Sequence, residues 1–286
     1  MRDGTATGSP GLLRSEVLSG DVSLALHTWD DGRADLVDLF YVHGLQSHAG
    51  WLFETGPALL ERGVRLTVLD RRGSGRSSGR RGHLDDARTV LDDYGSTLAR
   101  VAAAAHAPVT VLGQSFGGSL LAAMVATGRV PTGAQIVFCA PALGQQRARL
   151  GDAGRAQARQ RKGMAYSVVQ IEDEQYTSDP DYLRMMANDG LMTRSLTDSF
   201  RAVMVEVEDR YLEAGDGPWS AHRVEVALPA EDSIIDLAAS LDVLGSLAPH
   251  ARVRRFPVSS HYLEFTDSRD AYWDWLAEVV RAGGAC

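Results

Sequence analysis

Ser115 is the residue whose surroundings first point to chemistry. It is the central residue of the pentapeptide GQSFG at 113–117, which fits the pattern G-x-S-x-G between a predicted strand (109–112) and a predicted helix (119–126). A sharp turn from strand to helix holds a serine in a strained conformation, and only glycine fits two positions before and after it. The pentapeptide alone also fits an ordinary turn with a surface serine, and a serine hydroxyl is a poor nucleophile without a base.

A base and an acid follow later in the chain, each shortly after a predicted strand. His261 comes after the strand predicted at 253–258, and Asp232 after the strand predicted at 224–228. The carboxyl ends of parallel strands share one edge of a sheet, so both side chains are predicted to lie near Ser115. The order Ser…Asp…His is that of a catalytic triad, in which histidine takes the serine proton and the acid stabilises the imidazolium.

Two neighbouring carboxylates compete with Asp232 for the role of the acid. Glu231 precedes it directly and points elsewhere if the turn is tight. Asp236 has the position of an N-cap for the helix predicted at 235–247, a role for which Asp is well suited. We predict Asp232 as the acid, with the other two as alternatives.

The sequence also predicts two backbone N–H groups that could bind an anionic oxygen. The run His43-Gly44-Leu45 ends the strand predicted at 36–42. In strand–turn–helix sites of this kind, one N–H group comes from such a loop and the other from the residue after the nucleophile. Here these are the N–H groups of Leu45 and Phe116, which would stabilise a tetrahedral intermediate. His43 itself is interpreted as a core histidine that braces the loop.

Short apolar runs alternate with helical patterns along most of the chain. The predicted strands are 22–29, 36–42, 64–69, 109–112, 135–139, 224–228 and 253–258, and the predicted helices are 51–62, 88–105, 119–126, 235–247 and 272–281. This alternation predicts an α/β fold with a mainly parallel sheet and helices on both faces. Residues 1–10, rich in Gly, Ser, Thr and Pro, are predicted to be disordered.

Residues 145–217, here called the cap segment, interrupt the alternation. They are charged and helical in pattern, without a β-rich run, which predicts a helical cap over the carboxyl edge of the sheet. The cap would be inserted into a single domain whose core covers about 15–144 and 218–282. Methionine suits an adaptable apolar wall. The predicted pocket residues are Gln114, Met164, Tyr166, Met185 and Met192.

The first part of the cap segment is basic. Its six cations stand against the single acid Asp152; they are Arg147, Arg149, Arg155, Arg159, Arg161 and Lys162. Such charges form either a solvated helical face or a guide for an anionic substrate. A membrane-docking lid is disfavoured, because the segment is too densely charged for a large exposed apolar face.

The composition excludes several classes of protein. A net charge of −8 over 286 residues argues against a nucleic-acid-binding protein. No run approaches the ~20 apolar residues of a membrane span and no signal-type segment begins the chain, so we expect a cytoplasmic protein without stable membrane insertion. Two cysteines, Cys139 and Cys286, give no disulfide framework. The histidines lack metal-ligand spacing, so neither a metal nor a cofactor is expected. The oligomeric state is not indicated.

A further run carries a resemblance to a known family. The sequence DRRGSGRSSG at 70–79, followed by Gly82-His83, resembles the loop D-x-R-G-x-G-x-S-x-G of α/β-hydrolases. Within that superfamily the chain is similar to the branch of monoacylglycerol lipases and lysophospholipases, also grouped with serine aminopeptidases. The runs YTSDP at 176–180 and NDGL at 188–191 resemble the cap of that branch. The resemblance covers roughly residues 15–282 and implies the same triad and oxyanion positions as those named above.

Two departures from the family pattern concern the pocket. Gln114 stands where the family usually has a histidine before the serine, and Phe116 replaces a common methionine. The glycine often found before the acid is also missing, since residues 228–230 read LPA. These changes leave the triad intact and bear on the substrate.

The favoured function is hydrolysis of a carboxylic ester, or a related small-molecule acyl compound, through an acyl-enzyme on Ser115. An acyltransferase or thioesterase-type tailoring enzyme would use the same triad, with only the acceptor or leaving group changed. A non-catalytic receptor for a small molecule is the alternative from another class. It is disfavoured because a pure binder need not keep the serine.

Overall fold

The computed structural model describes residues 11–284, so the predicted disorder of residues 1–10 lies outside the described residues. Ten strands occur within this range: β1 (Leu12–Ser19), β2 (Val22–Trp29), β3 (Val37–Val42), β4 (Val64–Leu69), β5 (Thr110–Gln114), β6 (Gln135–Cys139), β7 (Tyr166–Val168), β8 (Ser195–Thr197), β9 (Val224–Pro229) and β10 (Arg252–Phe256).

Eight of the strands form one sheet in the order β1-β2-β4-β3-β5-β6-β9-β10. The pairs β1–β2 and β2–β4 are antiparallel, whereas every pair from β4 to β10 along the sheet is parallel. The predicted α/β fold with a mainly parallel sheet is therefore confirmed. Parallel neighbours need long crossovers, and helices supply them here.

The described part of the chain has eight α-helices. They are α1 (Thr55–Glu61), α2 (Ala87–Ala104), α3 (Phe116–Ala126), α4 (Gln145–Gln160), α5 (Pro180–Ala187), α6 (Asp198–Ala214), α7 (Leu237–Leu247) and α8 (Arg269–Gly284). Four short 3₁₀ turns lie between them: Ala49–Leu52, Asp173–Gln175, Gly217–Ala221 and Leu263–Phe265.

The helices cover the sheet on both faces, and strand periodicity explains how. Successive side chains of a strand point to opposite faces, so Phe40 and Val42 of β3 join one buried cluster while Leu39 and Tyr41 join another. The first cluster contains apolar residues of α2, α3, α6 and α7. The second contains those of α1 and α8. Both faces of the central strands are thus apolar, as the continuous runs in the sequence predicted.

The cap segment differs from its prediction in two respects. It contains the short antiparallel pair β7–β8, where no strand was predicted. Its last helix, α6, packs in the core, which was predicted to exclude the cap segment, because Phe200, Val203 and Val207 lie in the same buried cluster as Leu120 of α3. By contrast α4 is largely exposed, and its helix is interrupted at Gly151, whose φ of 59° falls in the left-handed region.

Candidate active site

Ser115 lies between the end of β5 and the first residue of α3 in a strained conformation, with φ 53° and ψ −122°. A positive φ is uncommon for a residue other than glycine. The conformation is held by three backbone hydrogen bonds: Ser115 N donates to the Cys139 carbonyl at 3.1 Å, and the Ser115 carbonyl accepts from Gly118 N at 2.8 Å and Ala142 N at 2.9 Å. Strain of this kind persists only where the surrounding structure fixes it.

The two glycines of the pentapeptide are required by close backbone contacts. A Cβ atom at Gly117 would lie 2.0 Å from the Val42 carbonyl oxygen, and one at Gly113 would lie 2.6 Å from the carbonyl oxygen of Gly117. Both distances are far inside van der Waals contact. Any side chain at either position would displace α3 from β3 or β5, and with it the turn that carries Ser115.

His261 and Asp232 are in direct contact, and both side chains are fully buried. The distance from His261 Nδ1 to Asp232 Oδ2 is 2.7 Å. The other carboxylate oxygen, Oδ1, accepts from the backbone N–H groups of Ile234 at 2.8 Å and Ile235 at 3.1 Å. Burial acts to raise the pKa of Asp232, but the positive charge and hydrogen bond of His261 and the two N–H groups lower it below the ordinary value. Asp232 is therefore ionised and accepts the Nδ1 proton.

This contact leaves the second ring nitrogen of His261 available as a base. In the tautomer that carries its proton on Nδ1, Nε2 has a lone pair that can accept a proton. Nε2 is buried and has no hydrogen-bond partner among the described residues. Ser115, Asp232 and His261 follow β5, β9 and β10, whose carboxyl ends lie along one edge of the sheet. The ring of Tyr176, 6.0 Å from that of His261, lines a cavity together with Ser115.

The other two carboxylates near Asp232 have different partners. Asp236 caps α7, where its Oδ1 accepts from Ala238 N at 2.9 Å and Ala239 N at 3.0 Å. Glu231 accepts from the Ser259 hydroxyl at 3.4 Å in an exposed position. Of the three candidate acids, only Asp232 has a described contact with His261.

The loop that carries Leu45 is held by two buried side chains. The His43 Nε2 atom accepts from Arg71 N at 3.0 Å, so its proton is on Nδ1, which donates to the Gly44 carbonyl at 2.9 Å. Burial, together with the positive charge of Arg71, lowers the pKa of His43 to about 3, so the ring is neutral. The Arg71 guanidinium also donates to the carbonyls of Gly44 at 3.2 Å and Leu45 at 2.8 Å. His43 thus braces the loop, as interpreted from the sequence.

The N–H groups of Leu45 and Phe116 are available for a ligand. Neither forms a hydrogen bond within the range 11–284. Phe116 is the first residue of α3, and the unpaired N–H groups at the start of a helix carry a partial positive charge. Leu45, Ser115 and Phe116 all line the same cavity, so these groups could bind an anionic oxygen there.

This inner cavity has a volume of about 50 Å³ and adjoins an outer cleft of about 430 Å³. Five residues line both spaces: Leu45, Gln146, Arg149, Ile171 and Met204. The inner cavity is completed by residues that include Ser119, Ala142, Gln145, Tyr176, Ile234 and Ile235. The cleft at the surface of the cap segment and the cavity at Ser115 therefore share one wall.

The five predicted pocket residues lie elsewhere. Met164 and Tyr166 are exposed on the surface of the cap segment, and Met185 and Met192 belong to an apolar cluster around Trp51. Gln114 is fully buried beneath the turn, with no hydrogen-bond partner for its side-chain amide among residues 11–284. A methionine-rich composition indicates apolar packing in a segment, but it does not indicate which side of the segment faces the nucleophile.

The residues that do line the inner cavity were missed, although one signal was present. Ile234 and Ile235 follow Asp232 directly, and the same turn that binds the carboxylate through their N–H groups places their side chains in the cavity. Ile171 and Met204 come from distant parts of the cap segment. No pattern in the sequence relates these two positions to Ser115.

Two further features of the described residues bear on the type of protein. No helix between residues 11 and 284 is both long and apolar enough to cross a bilayer. Within the same range, no group of three or more His, Cys, Asp or Glu side chains is arranged to hold a metal ion.

Comparison with known structures gives the same fold. A monoglyceride lipase from Saccharomyces cerevisiae superimposes with a TM-score of 0.80 over 98% of each chain, at 14% identity. A monoacylglycerol lipase from Paleococcus ferrophilus gives 0.75 over 95% of this chain and 99% of its own, at 16% identity. A carboxyl esterase from Bacillus coagulans superimposes with a TM-score of 0.73 over 95% of this chain and 98% of its own, at 15% identity.

Sequence comparison finds partial relatives among curated proteins. A monoacylglycerol lipase of Mycolicibacterium smegmatis is 33% identical over 104 residues, which are 36% of this chain and 37% of that protein. An uncharacterised abhydrolase domain-containing protein of Dictyostelium discoideum is 33% identical over 107 residues, 37% of this chain and 11% of its own length. The chain thus aligns with less than half the length of these relatives.

A family match covers most of the chain. Residues 37–265 match the family described as serine aminopeptidase, S33, a range that includes Ser115, Asp232 and His261. The match agrees with the α/β-hydrolase architecture of the eight-stranded sheet. The chain belongs to the serine aminopeptidase S33 family of α/β-hydrolases.

Proposed function

We propose that this protein is a serine hydrolase that cleaves a carboxylic ester of a small-molecule acyl substrate through an acyl-enzyme on Ser115. The observation that carries the proposal is the buried contact of His261 Nδ1 with Asp232 Oδ2 at 2.7 Å, while Nε2 of the same ring has no partner in the described structure. The family match and the curated relative named monoacylglycerol lipase support the same reaction class.

In the acylation half-reaction, Ser115 Oγ attacks the ester carbonyl carbon and its proton passes to His261 Nε2. Asp232 stabilises the resulting imidazolium and holds the ring in the tautomer that can accept the proton. The carbonyl oxygen becomes an anion and binds the N–H groups of Leu45 and Phe116. The intermediate then collapses, and the leaving alcohol takes the proton from His261.

In the deacylation half-reaction, water attacks the acyl-enzyme carbonyl while His261 Nε2 takes one of its protons. The same two N–H groups bind the second anionic intermediate. Its collapse releases the carboxylic acid and returns the proton to Ser115 Oγ. The strained backbone of Ser115 fixes the position of its hydroxyl, and the Leu45 loop fixes the position of an N–H donor. Little reorganisation is therefore needed during either step.

The test combines labelling with turnover. Wild-type protein is expected to react with a fluorophosphonate probe and to hydrolyse p-nitrophenyl esters, and Ser115→Ala is expected to lose both, with kcat at least about 10⁴-fold lower. Ser246→Ala, in an exposed turn of α7, is the matched control and keeps both. Thioesters and amides of the same acyl groups, assayed in parallel, define the leaving group. Labelling of Ser115→Ala at the wild-type rate would contradict the proposal.

A further inference from the structure

The basic part of the cap segment is mostly neutralised by ion pairs. Arg155 and Arg159 both contact Asp209, Lys162 contacts Glu206 at 2.6 Å, Arg161 contacts Asp198 at 3.3 Å and Arg147 contacts Asp242 at 3.6 Å. The run therefore does not act as one positive face that could attract an anion. Any attraction must come from cations that lack such partners.

Arg149 and Arg201 are such cations. The Arg149 guanidinium donates to the Ile234 carbonyl. Arg201 donates from Nε to the Ser167 hydroxyl at 2.9 Å and from Nη2 to the carbonyls of Ser167 at 3.3 Å and Val168 at 3.2 Å. All of these partners are uncharged. Neither arginine forms an ion pair within the described part of the chain.

Both arginines line the outer cleft, and Arg149 also lines the inner cavity at Ser115. Asp198 is the only carboxylate among the described residues that line either space, and its Oδ2 lies 3.3 Å from Arg161 Nε. Partial burial lowers the pKa of Arg201, although the charge of Asp198 opposes this effect. Arg201 thus loses hydration without gaining a carboxylate contact, and an anion in the cleft would compensate for that loss.

Apart from its charged residues, the outer cleft is lined by apolar residues and by the amides of Gln146, Gln157 and Gln170. Its apolar lining residues are Leu45, Leu150, Val168, Val169, Ile171 and Met204. A wall that combines apolar side chains with two cations that lack carboxylate partners fits a ligand that is itself amphiphilic. A neutral ester would fill the apolar part and leave both guanidinium groups with only their present hydrogen bonds.

We infer that the substrate is an acyl ester that also carries an anionic group, a carboxylate or a phosphate, which Arg149 and Arg201 bind in the outer cleft while the ester lies at Ser115. The inference rests on the proposed function for the position of the ester. Charge-assisted hydrogen bonds from arginine are strong and directional for both anions. The two arginines would then determine specificity without taking part in the bond-breaking steps.

The kinetic test uses two p-nitrophenyl esters that differ at one end. One is p-nitrophenyl 7-carboxyheptanoate and the other is its methyl ester; a third substrate with a terminal phosphate distinguishes the two anions. We expect kcat/KM to be higher for an anionic ester, and the ratio of anionic to neutral kcat/KM to fall about tenfold to a hundredfold in Arg149→Gln and Arg201→Gln. Arg147→Gln, two residues from Arg149 and outside the cleft, is expected to keep the wild-type ratio.

A binding test separates this inference from the proposed function, since it needs no turnover. Octyl phosphate and suberate are titrated calorimetrically into Ser115→Ala, with octyl glucoside as the neutral comparison. Binding of either anion that weakens in the Arg149→Gln and Arg201→Gln versions of this variant supports the inference even if no ester is hydrolysed. Equal kinetics on charged and neutral esters, or no binding of either anion to Ser115→Ala, would overturn it.

Discussion

Asp232 and Asp236 have the same type of side chain and are four residues apart, but their carboxylates have different partners in the structure. Asp232 contacts a histidine and two N–H groups of its own turn, whereas Asp236 contacts only N–H groups at the start of α7 among its described side-chain partners. The difference lies in the turn at residues 232–235, which directs the first carboxylate inward and leaves the second at the helix end.

We therefore expect opposite results from the same substitution at the two positions. Asp232→Asn should lower kcat about 10³- to 10⁴-fold, because an amide that donates to Nδ1 favours the wrong tautomer of His261. Asp236→Asn should change kcat by less than about twofold, since Asn also caps helices well. Steady-state kinetics of both variants and the wild type on one p-nitrophenyl ester test which carboxylate is the acid. A severe loss in Asp236→Asn with a mild one in Asp232→Asn would reverse the assignment.

Arg71 offers a test of the loop that carries Leu45. Arg71→Met removes the donors to the Gly44 and Leu45 carbonyls and leaves the size of the side chain similar. We expect kcat to fall about tenfold or more, with a smaller change in KM, because a misplaced N–H group weakens binding of the intermediate more than that of the substrate.

The control for Arg71→Met is Arg72→Met. Arg72 is adjacent in sequence, but its partners are Asp93 and Ser19, away from the loop. Both variants lose a charge and some stability, which thermal denaturation measures. An equal fall in kcat for the two variants would mean that Arg71 acts only through stability.

At the level of residues, the contact of His261 with Asp232 could be predicted from the sequence, but the residues that line the inner cavity could not. Ser115, Asp232 and His261 each follow a strand at the same edge of the sheet, and chain order with chemical type was enough to predict the contact between Asp232 and His261. The catalytic roles of the three residues stay a prediction. The pocket depends on which face of a helix or loop turns inward. Met164 and Ile171 are both apolar and lie in the same segment, yet one is exposed and the other lines the cavity.

Among the contacts between elements, one carboxylate of the cap segment, that of Asp189, has two side-chain partners in the core. Asp189 Oδ2 accepts from His48 Nε2 at 2.9 Å and from Trp51 Nε1 at 2.7 Å, and Oδ1 accepts from Leu191 N at 2.9 Å. His48 caps the 3₁₀ turn Ala49–Leu52 of the core, and Trp51 lies within that turn. This contact joins a turn after α5 to a turn after β3, across more than 130 residues of chain.

The pKa of Asp189 makes this contact dependent on pH. Burial acts to raise the pKa, but the hydrogen bond and charge of His48 and the N–H groups of Trp51 and Leu191 lower it to about 2. A carboxyl group with a lowered pKa adds stability above its ordinary value of 3.8 and loses that contribution as the pH falls towards 2.

We expect Asp189→Asn to lower the free energy of unfolding by about 2 kcal/mol at pH 7. The difference from wild type should shrink between about pH 4 and pH 2, measured by urea denaturation at each pH. Asp181→Asn removes an exposed carboxylate of α5 and should have little effect. A difference that does not change with pH would show that the Asp189 carboxylate is not stabilised by ionisation.

The elements that could not be predicted from the sequence have short or irregular patterns of apolar and polar residues. β1 has a single buried residue, Val17, because it lies at the edge of the sheet, so its sequence lacks a regular alternation. β7 and β8 have only three residues each and pair with each other across the cap segment. α6 was predicted as helical, and its residues Phe200, Val203 and Val207 recur at the spacing of one helix face. That spacing predicts a buried face but does not show which part of the molecule covers it.

For the whole molecule, the net charge of the protein and the charge of the outer cleft have opposite signs. The chain carries a formal charge of −8, whereas the outer cleft has three arginines and one carboxylate among its described lining residues. At physiological ionic strength the screening length is about 8 Å. An approaching anion is therefore repelled weakly by the molecule and attracted within the cleft.

This contrast predicts that the salt dependence of kcat/KM for the anionic ester changes sign when the cleft arginines are removed. In the wild-type protein, added NaCl should lower kcat/KM for the anionic ester, since salt screens the arginines. In the double variant Arg149→Gln/Arg201→Gln, added NaCl should raise it, because only the overall repulsion is left to screen. The neutral ester reports non-specific effects of salt. The same slope in both proteins would mean that the cleft arginines do not act on the anion.

Lys162 is the only lysine in the chain, and it lies two residues after the end of α4. It is paired with Glu206 of α6 and is next to Arg161, which lines the outer cleft. Apart from an α-amino terminus, it is the only amine that an acylating dye could modify. Without any substitution, the protein can therefore carry one fluorophore at the mouth of its cleft. The emission of that fluorophore would follow ligand entry and movement of α4 in real time.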